Sequence, residues 1–151
     1  MRPEKINLGI VKFCAEEVDR QGRGAIQVWN MVEAWDYFTR EVFKDSVDLL
    51  SLIKQTAALI EPGVNEPHSW RGVPVTVGDY EAPKPGSLRR MMYQWKESLV
   101  DLGPAKAYYQ FELIHPHVDG NGRVGKILFN WLNCTLDAPE LPPDFFNCSN
   151  P

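Results

Sequence analysis

Apolar positions recur every three to four residues through most of this chain, and that period predicts helices. Ile6, Ile10, Phe13 and Val18 define a first helix, closed by the break at Gln21-Gly22-Arg23-Gly24. Val28, Val32, Trp35 and Val42 place a second helix between about Ala25 and Phe43. A third, capped by Asp45 or Ser46, carries Val47, Leu50, Ile53, Ala57 and Ile60 on one face. Pro62-Gly63 stops it. Residues 62–86 then break the period with five prolines and four glycines. They enclose Val73-Pro74-Val75-Thr76-Val77, a short alternating stretch that predicts a small strand or hairpin away from any sheet centre. Helical spacing resumes with Leu88, Met91, Trp95, Leu99 and Leu102, while Arg89, Arg90, Lys96 and Glu97 fall off that stripe. Gly103-Pro104 opens the next helix, which carries Ala107, Phe111 and Ile114. A last helix holds Val124, Ile127, Leu128, Trp131 and Leu132. The expected fold class is all-α with one β-like insertion. A Pro-rich tail with Phe145-Phe146 is expected to pack back on the body.

Composition narrows the function classes. The 151 residues, 44% hydrophobic and 24% charged, suit one globular domain with a core of its own. A net charge of −4 predicts no general attraction to nucleic acid. No apolar run reaches ~18 residues, so no membrane span is expected. Residues 1–7 lack the apolar stretch of a secretory signal. Cys14, Cys134 and Cys148 are odd in number and lack paired spacing, which predicts free and mostly buried thiols in a reducing, cytoplasmic setting.

Candidate chemistry concentrates in residues 115–126, His-Pro-His-Val-Asp-Gly-Asn-Gly-Arg-Val-Gly-Lys. A titratable imidazole, a carboxylate, a glycine-framed turn and two cations lie between two predicted helices. Glycines let the backbone curl so that its N–H groups converge on an anion. The N-terminus of the following helix adds its dipole at the same spot. A charge-assisted hydrogen bond from Arg123 contributes ~1.5–3 kcal/mol and the helix terminus ~0.3–1 kcal/mol. Millimolar binding needs ~4 kcal/mol before association entropy is subtracted, so such a loop supplies much of the affinity for an abundant polyphosphate. His115 titrates near neutrality and can accept a proton from an incoming hydroxyl. Asp119 beside phosphates needs a cation between them, or else caps the next helix. Two other patterns overlap here. Gly120 to Gly125 spells Gly-x-Gly-x-x-Gly, but no βαβ unit surrounds it. Gly120 to Lys126 spells most of a P-loop, but Ile127 stands where a magnesium-binding hydroxyl belongs.

The stretch also resembles the signature of the Fic family, His-x-Phe-x-(Asp/Glu)-Gly-Asn-Gly-Arg-x-x-Arg. His115, Asp119, Gly120, Asn121, Gly122 and Arg123 match it. Upstream, Trp70-Arg71, Val75-Thr76-Val77-Gly78 and Pro83-Lys84-Pro85 look like the family's flap region. The likeness covers roughly residues 45–140. It implies a Fic-like helical bundle with a helix–loop–helix active site and a β-hairpin flap. Residues 1–44 would be helices packing on that core, and 141–151 a tail. It further implies transfer of AMP from ATP to a Ser, Thr or Tyr hydroxyl of a target protein. His115 would be general base, Asp119 the Mg2+ ligand, and Gly120, Asn121, Gly122, Arg123 and Lys126 the phosphate site. Val75, Thr76, Val77 and Gly78 would be the edge on which the target lies. The relatives' range leaves transfer of UMP, phosphocholine or the γ-phosphate as alternatives. A catalytically decayed binding or regulatory module is another, and a metal-dependent hydrolase a third. Intact Gly120 and Gly122 favour nucleotidyl transfer.

Two positions depart from the signature. His117 replaces the phenylalanine: the expectation is a packed neutral imidazole or a loop that sits differently, with a second catalytic role as the less favoured alternative. Lys126 replaces the last arginine, keeping charge but losing the bidentate fork. No Ser or Thr is followed four positions on by Glu, so the family's short inhibitory helix motif is missing. The expectation is a protein without that intramolecular brake, free-running or held by an inhibitory partner.

Overall fold

The computed structural model describes residues 7–144. Six helices carry the fold: α1 (Leu8–Arg20), α2 (Ala25–Val42), α3 (Leu49–Ile60), α4 (Leu88–Ser98), α5 (Pro104–Ile114) and α6 (Asn121–Leu132). Between α3 and α4, β1 (Thr76–Val77) and β2 (Tyr80–Glu81) form an antiparallel hairpin. Thr76 lies opposite Glu81 and Val77 opposite Tyr80. Gly78 supplies the positive φ of 60° that so tight a turn requires. The fold is the all-α class expected, with one small β-hairpin.

Core side chains come from every helix. α2 packs most extensively on α3, and α5 on α6. Trp35, Phe38, Ile53, Ala57, Ile60, Leu88, Met92, Phe111 and Ile127 have no exposed surface. Each large aliphatic or aromatic side chain so removed from water contributes roughly 1.5–3 kcal/mol. Two indole N–H groups find acceptors inside: Trp35 donates to Leu136 O at 2.9 Å and Trp95 to Ala107 O at 2.9 Å.

Three expectations need correction. α3 is capped by Asp48, not Asp45 or Ser46. Its Oδ1 accepts the Leu50 and Ser51 N–H groups, and Val47 stays in the preceding turn. On α4, Met92 rather than Met91 is fully buried, because 88, 92 and 95 make the inward line. That helix ends at Ser98, which leaves Leu102 outside it. The thiols also divide: Cys14 is buried and Cys134 exposed. Residues 133–140 fold back, since the buried Asn130 amide holds both the N–H and the C=O of Glu140. Phe145, Phe146 and Cys148 lie outside the described residues, as does Ile6.

Candidate active site

Residues 115–120 link α5 to α6, and most of that link is held by buried hydrogen bonds. His115 ends α5 in the left-handed region, φ 52° and ψ 60°, a conformation rarely populated by a residue with a side chain. Its Nδ1 lies 3.2 Å from Glu112 O, an acceptor, so Nδ1 carries the proton and Nε2 keeps the free lone pair. Burial holds the His115 imidazole below its ordinary range, with Arg71 adding to the effect. The Glu112 carbonyl and Asp119 oppose it. A neutral ring with an available nitrogen is the form a proton acceptor needs.

Asn65 is the main brace from outside the motif. Its amide nitrogen donates to Ala57 O (3.0 Å) and Asp119 O (2.8 Å). Its oxygen accepts the N–H groups of Val118 (3.1 Å) and Asp119 (3.3 Å). Asn121 braces from within: its side chain accepts from His117 N and donates to His117 O, both at 2.9 Å. The Asn121 side-chain amide is thus committed to the loop, while its backbone N–H, at the first position of α6, has no intrahelical acceptor. Gly120 is the N-cap of α6 with φ 77°, and a Cβ there would come within 2.7 Å of Ile60. Gly122 follows in the first turn, where backbone N–H groups have no intrahelical acceptor.

Charges around this turn are mostly paired within the chain. Arg123 is fully buried and donates from Nη2 to Glu61 at 2.8 Å, while its Nε and Nη1 have no partner. Lys126 meets Glu17 of α1 at 3.0 Å. Burial works against the Glu17 charge, but Lys126 and hydrogen bonds from Arg20 and Gln21 hold its carboxyl below the usual range. Asp119 accepts Gly120 N at 2.7 Å and receives Arg23 at 2.6 Å. The end of α1 and the α1–α2 turn therefore sit over the motif, with Gln21 Nε2 3.1 Å from where a Gly122 Cβ would be. Glu112, beneath the turn, is raised to about 7 by burial, against the pull of Lys126.

His117 fills the position of the family's phenylalanine. It is buried between Trp70 (ring centroids 5.6 Å apart) and Phe111 (6.3 Å), and its Nε2 has no partner. Burial pushes it down to about 3, so it is a neutral packing ring.

The hairpin is tied to this loop by Arg71. Its guanidinium donates to His115 O (2.7 Å), Val73 O (2.9 Å) and Pro83 O (2.7 Å), and its N–H to Pro116 O (3.0 Å). Tyr80 OH reaches Leu113 O at 2.6 Å. Thr76, Val77 and Gly78 are exposed and Val75 half-buried. β1 pairs only with β2 among the described residues.

The structure thus brings His115, Asp119, the 120–123 turn and Lys126 to one place, with the hairpin linked beside them. Sequence reading missed Asn65, Glu61, Glu17 and Arg23. Glu17 had left a signal: it stands four residues after Phe13, on the apolar line of α1. Gly120, the α6 N-terminus and the unpartnered Arg123 nitrogens fit an anion. Among the described residues, no three His, Cys, Asp or Glu side chains gather. A cation on Asp119 would complete its shell with phosphate oxygens and water, as Mg2+ does.

Comparison with known proteins identifies the family and the fold. The Fic/DOC family model matches residues 43–133, and the chain belongs to that family. Protein adenylyltransferase Fic of Drosophila grimshawi is 33% identical over 103 residues, covering 62% of this chain and 21% of that protein. The Drosophila virilis protein of the same name is 34% identical over 103 residues. The chain spans about a fifth of the length of these curated relatives. A Fic family protein from Desulfovibrio desulfuricans G20 shares the fold, with a TM-score of 0.60 at 20% identity over 88% of this chain and 46% of that one. No helix among the described residues is long and apolar enough to cross a membrane.

Proposed function

We propose that the chain transfers AMP from ATP to a hydroxyl of a target protein. The observation that carries this is the neutral His115, its Nε2 free, held on a braced loop beside an anion-binding helix start. The target hydroxyl gives its proton to His115 Nε2, and its oxygen forms a bond to the α-phosphorus. The bond to the β-phosphate oxygen breaks and pyrophosphate leaves. The backbone N–H groups of Asn121, Gly122 and Arg123 and the helix dipole face the phosphates. Asp119 would hold Mg2+, which when bound neutralises phosphate charge. The exposed β1 edge would take the target segment in extended form, aligning its hydroxyl by main-chain pairing.

Asp119 and Lys126 are each already engaged, by Arg23 and Glu17. On this reading nucleotide and metal displace both contacts, and the corner over the motif competes with them. A chain-internal restraint therefore exists without the Ser/Thr-x-x-x-Glu motif. The same observation favours one second reading, a binding or regulatory module whose site stays closed. Incubation with α-labelled and γ-labelled ATP and a cell extract tests both. AMP transfer leaves only the α-label on protein, and His115→Ala lowers it ~10²–10⁴-fold. No label in either case supports the closed module, and retained γ-label supports phosphoryl transfer.

A further inference from the structure

Between α3 and α4, with Trp70 in its lining, lies a cleft of about 720 Å³, within the size range of ligand sites. Lys54 on α3 and Arg89, Arg90 and Lys96 on α4 line it. Only one carboxylate does so, Asp48. That carboxylate is turned to its own helix, capping Leu50 and Ser51. None of the four cations is paired with a carboxylate among the described residues. In a chain of net charge −4 this is a local concentration of positive charge.

We propose that this cleft binds an acidic stretch of the target protein, next to the hydroxyl-bearing segment on β1. The inference rests on the target-docking reading of the hairpin. Position supports it: Trp70, ahead of β1 in the excursion that carries the hairpin, and Gly86, at the excursion's end, both line the cleft. Trp70 also packs on His117 of the motif. A polypeptide lying along the excursion can reach cleft and loop together. The aromatic rings argue for carboxylates over nucleobases. Lys54 Nζ sits 4.6 Å from the centroid of the Trp70 ring, and Lys96 Nζ 5.8 Å from that of Tyr93. Each ring thus has an ammonium on its face, so the cleft offers charge more than free stacking surface. Lysines and arginines on a surface also steer an acidic partner at low salt.

The test is fluorescence anisotropy with a fluorescein-labelled peptide of alternating Glu and Ser, and a control with Gln for Glu. Wild-type protein should bind the acidic peptide at least tenfold more tightly than the control, with affinity falling as salt rises. Arg89→Glu/Arg90→Glu, both on exposed positions, should lose that preference. Lys96→Glu should weaken it, providing a second variant if the first misfolds. His115→Ala should bind as wild type does, so a failed transfer assay leaves this inference standing. Equal binding of both peptides overturns it, as does unchanged binding by folded charge-reversal variants. A thymidine decamer that binds as tightly, and displaces the peptide, overturns it in favour of a nucleic-acid site.

Discussion

The motif loop and the hairpin are both short, irregular excursions between helices, yet they are built differently. The loop is held from beneath by Asn65, Asn121, Arg71 and Glu61, all buried. The hairpin is tied at its base by Arg71 and at its tip by Tyr80, and the side chains of its strands face water. A proton acceptor must be held within about 0.5 Å of its productive position, and buried hydrogen bonds fix it there. A docking edge that pairs through main chain gains from adaptability instead. Rigidity is placed where chemistry is proposed, and give where recognition is.

Five measurements would break or sharpen that contrast. His115→Ala should lower AMP transfer ~10²–10⁴-fold while the thermal transition barely moves, as expected of a proposed base at a helix end. The wild-type rate should rise with pH along a limb centred below 6.5 and stay flat above neutrality, since burial lowers the His115 pKa. His117→Phe should change acid unfolding. The unfolded imidazole takes a proton below its ordinary value of 6.5, the folded one only near 3. Stability is thus intact above 6.5 and lost as pH falls between those values. At pH 4 the variant should avoid a loss of about 3 kcal/mol, read from urea titrations at pH 7 and pH 4. Asn65→Ala should cost about 2–3 kcal/mol and slow transfer, because it strands the Val118 and Asp119 N–H groups and the Asp119 carbonyl. Tyr80→Phe removes one hydrogen bond at the exposed hairpin. It should cost about 1 kcal/mol or less in stability and act on target KM more than on kcat. A loop variant as mild as the hairpin one would dissolve the contrast.

Much of this was legible from local pattern. The apolar stripes place all six helices, and the prolines of 62–86 bracket the hairpin. The motif residues lie within nine positions of one another, so one helix end and one helix start bring them together. What escaped is long-range. Arg23 and Asp119 are separated by 96 positions, Asn65 and Asp119 by 54. No periodicity announces such pairs, since polar braces are chosen by the tertiary fold. The cap at Asp48 escaped for a smaller reason: Asp45, Ser46 and Asp48 are all able caps, and only packing selects among them.

Arg71 makes the two excursions one mechanical unit. Its guanidinium joins the His115 carbonyl to both feet of the hairpin, so a displacement of either is felt by the other. Thermodynamic linkage makes any such effect mutual. If a segment docking on the hairpin tightens the hold on nucleotide, then nucleotide tightens docking by the same factor. A chain of this kind would engage its two substrates most strongly together, and would release the second more readily once the first had gone.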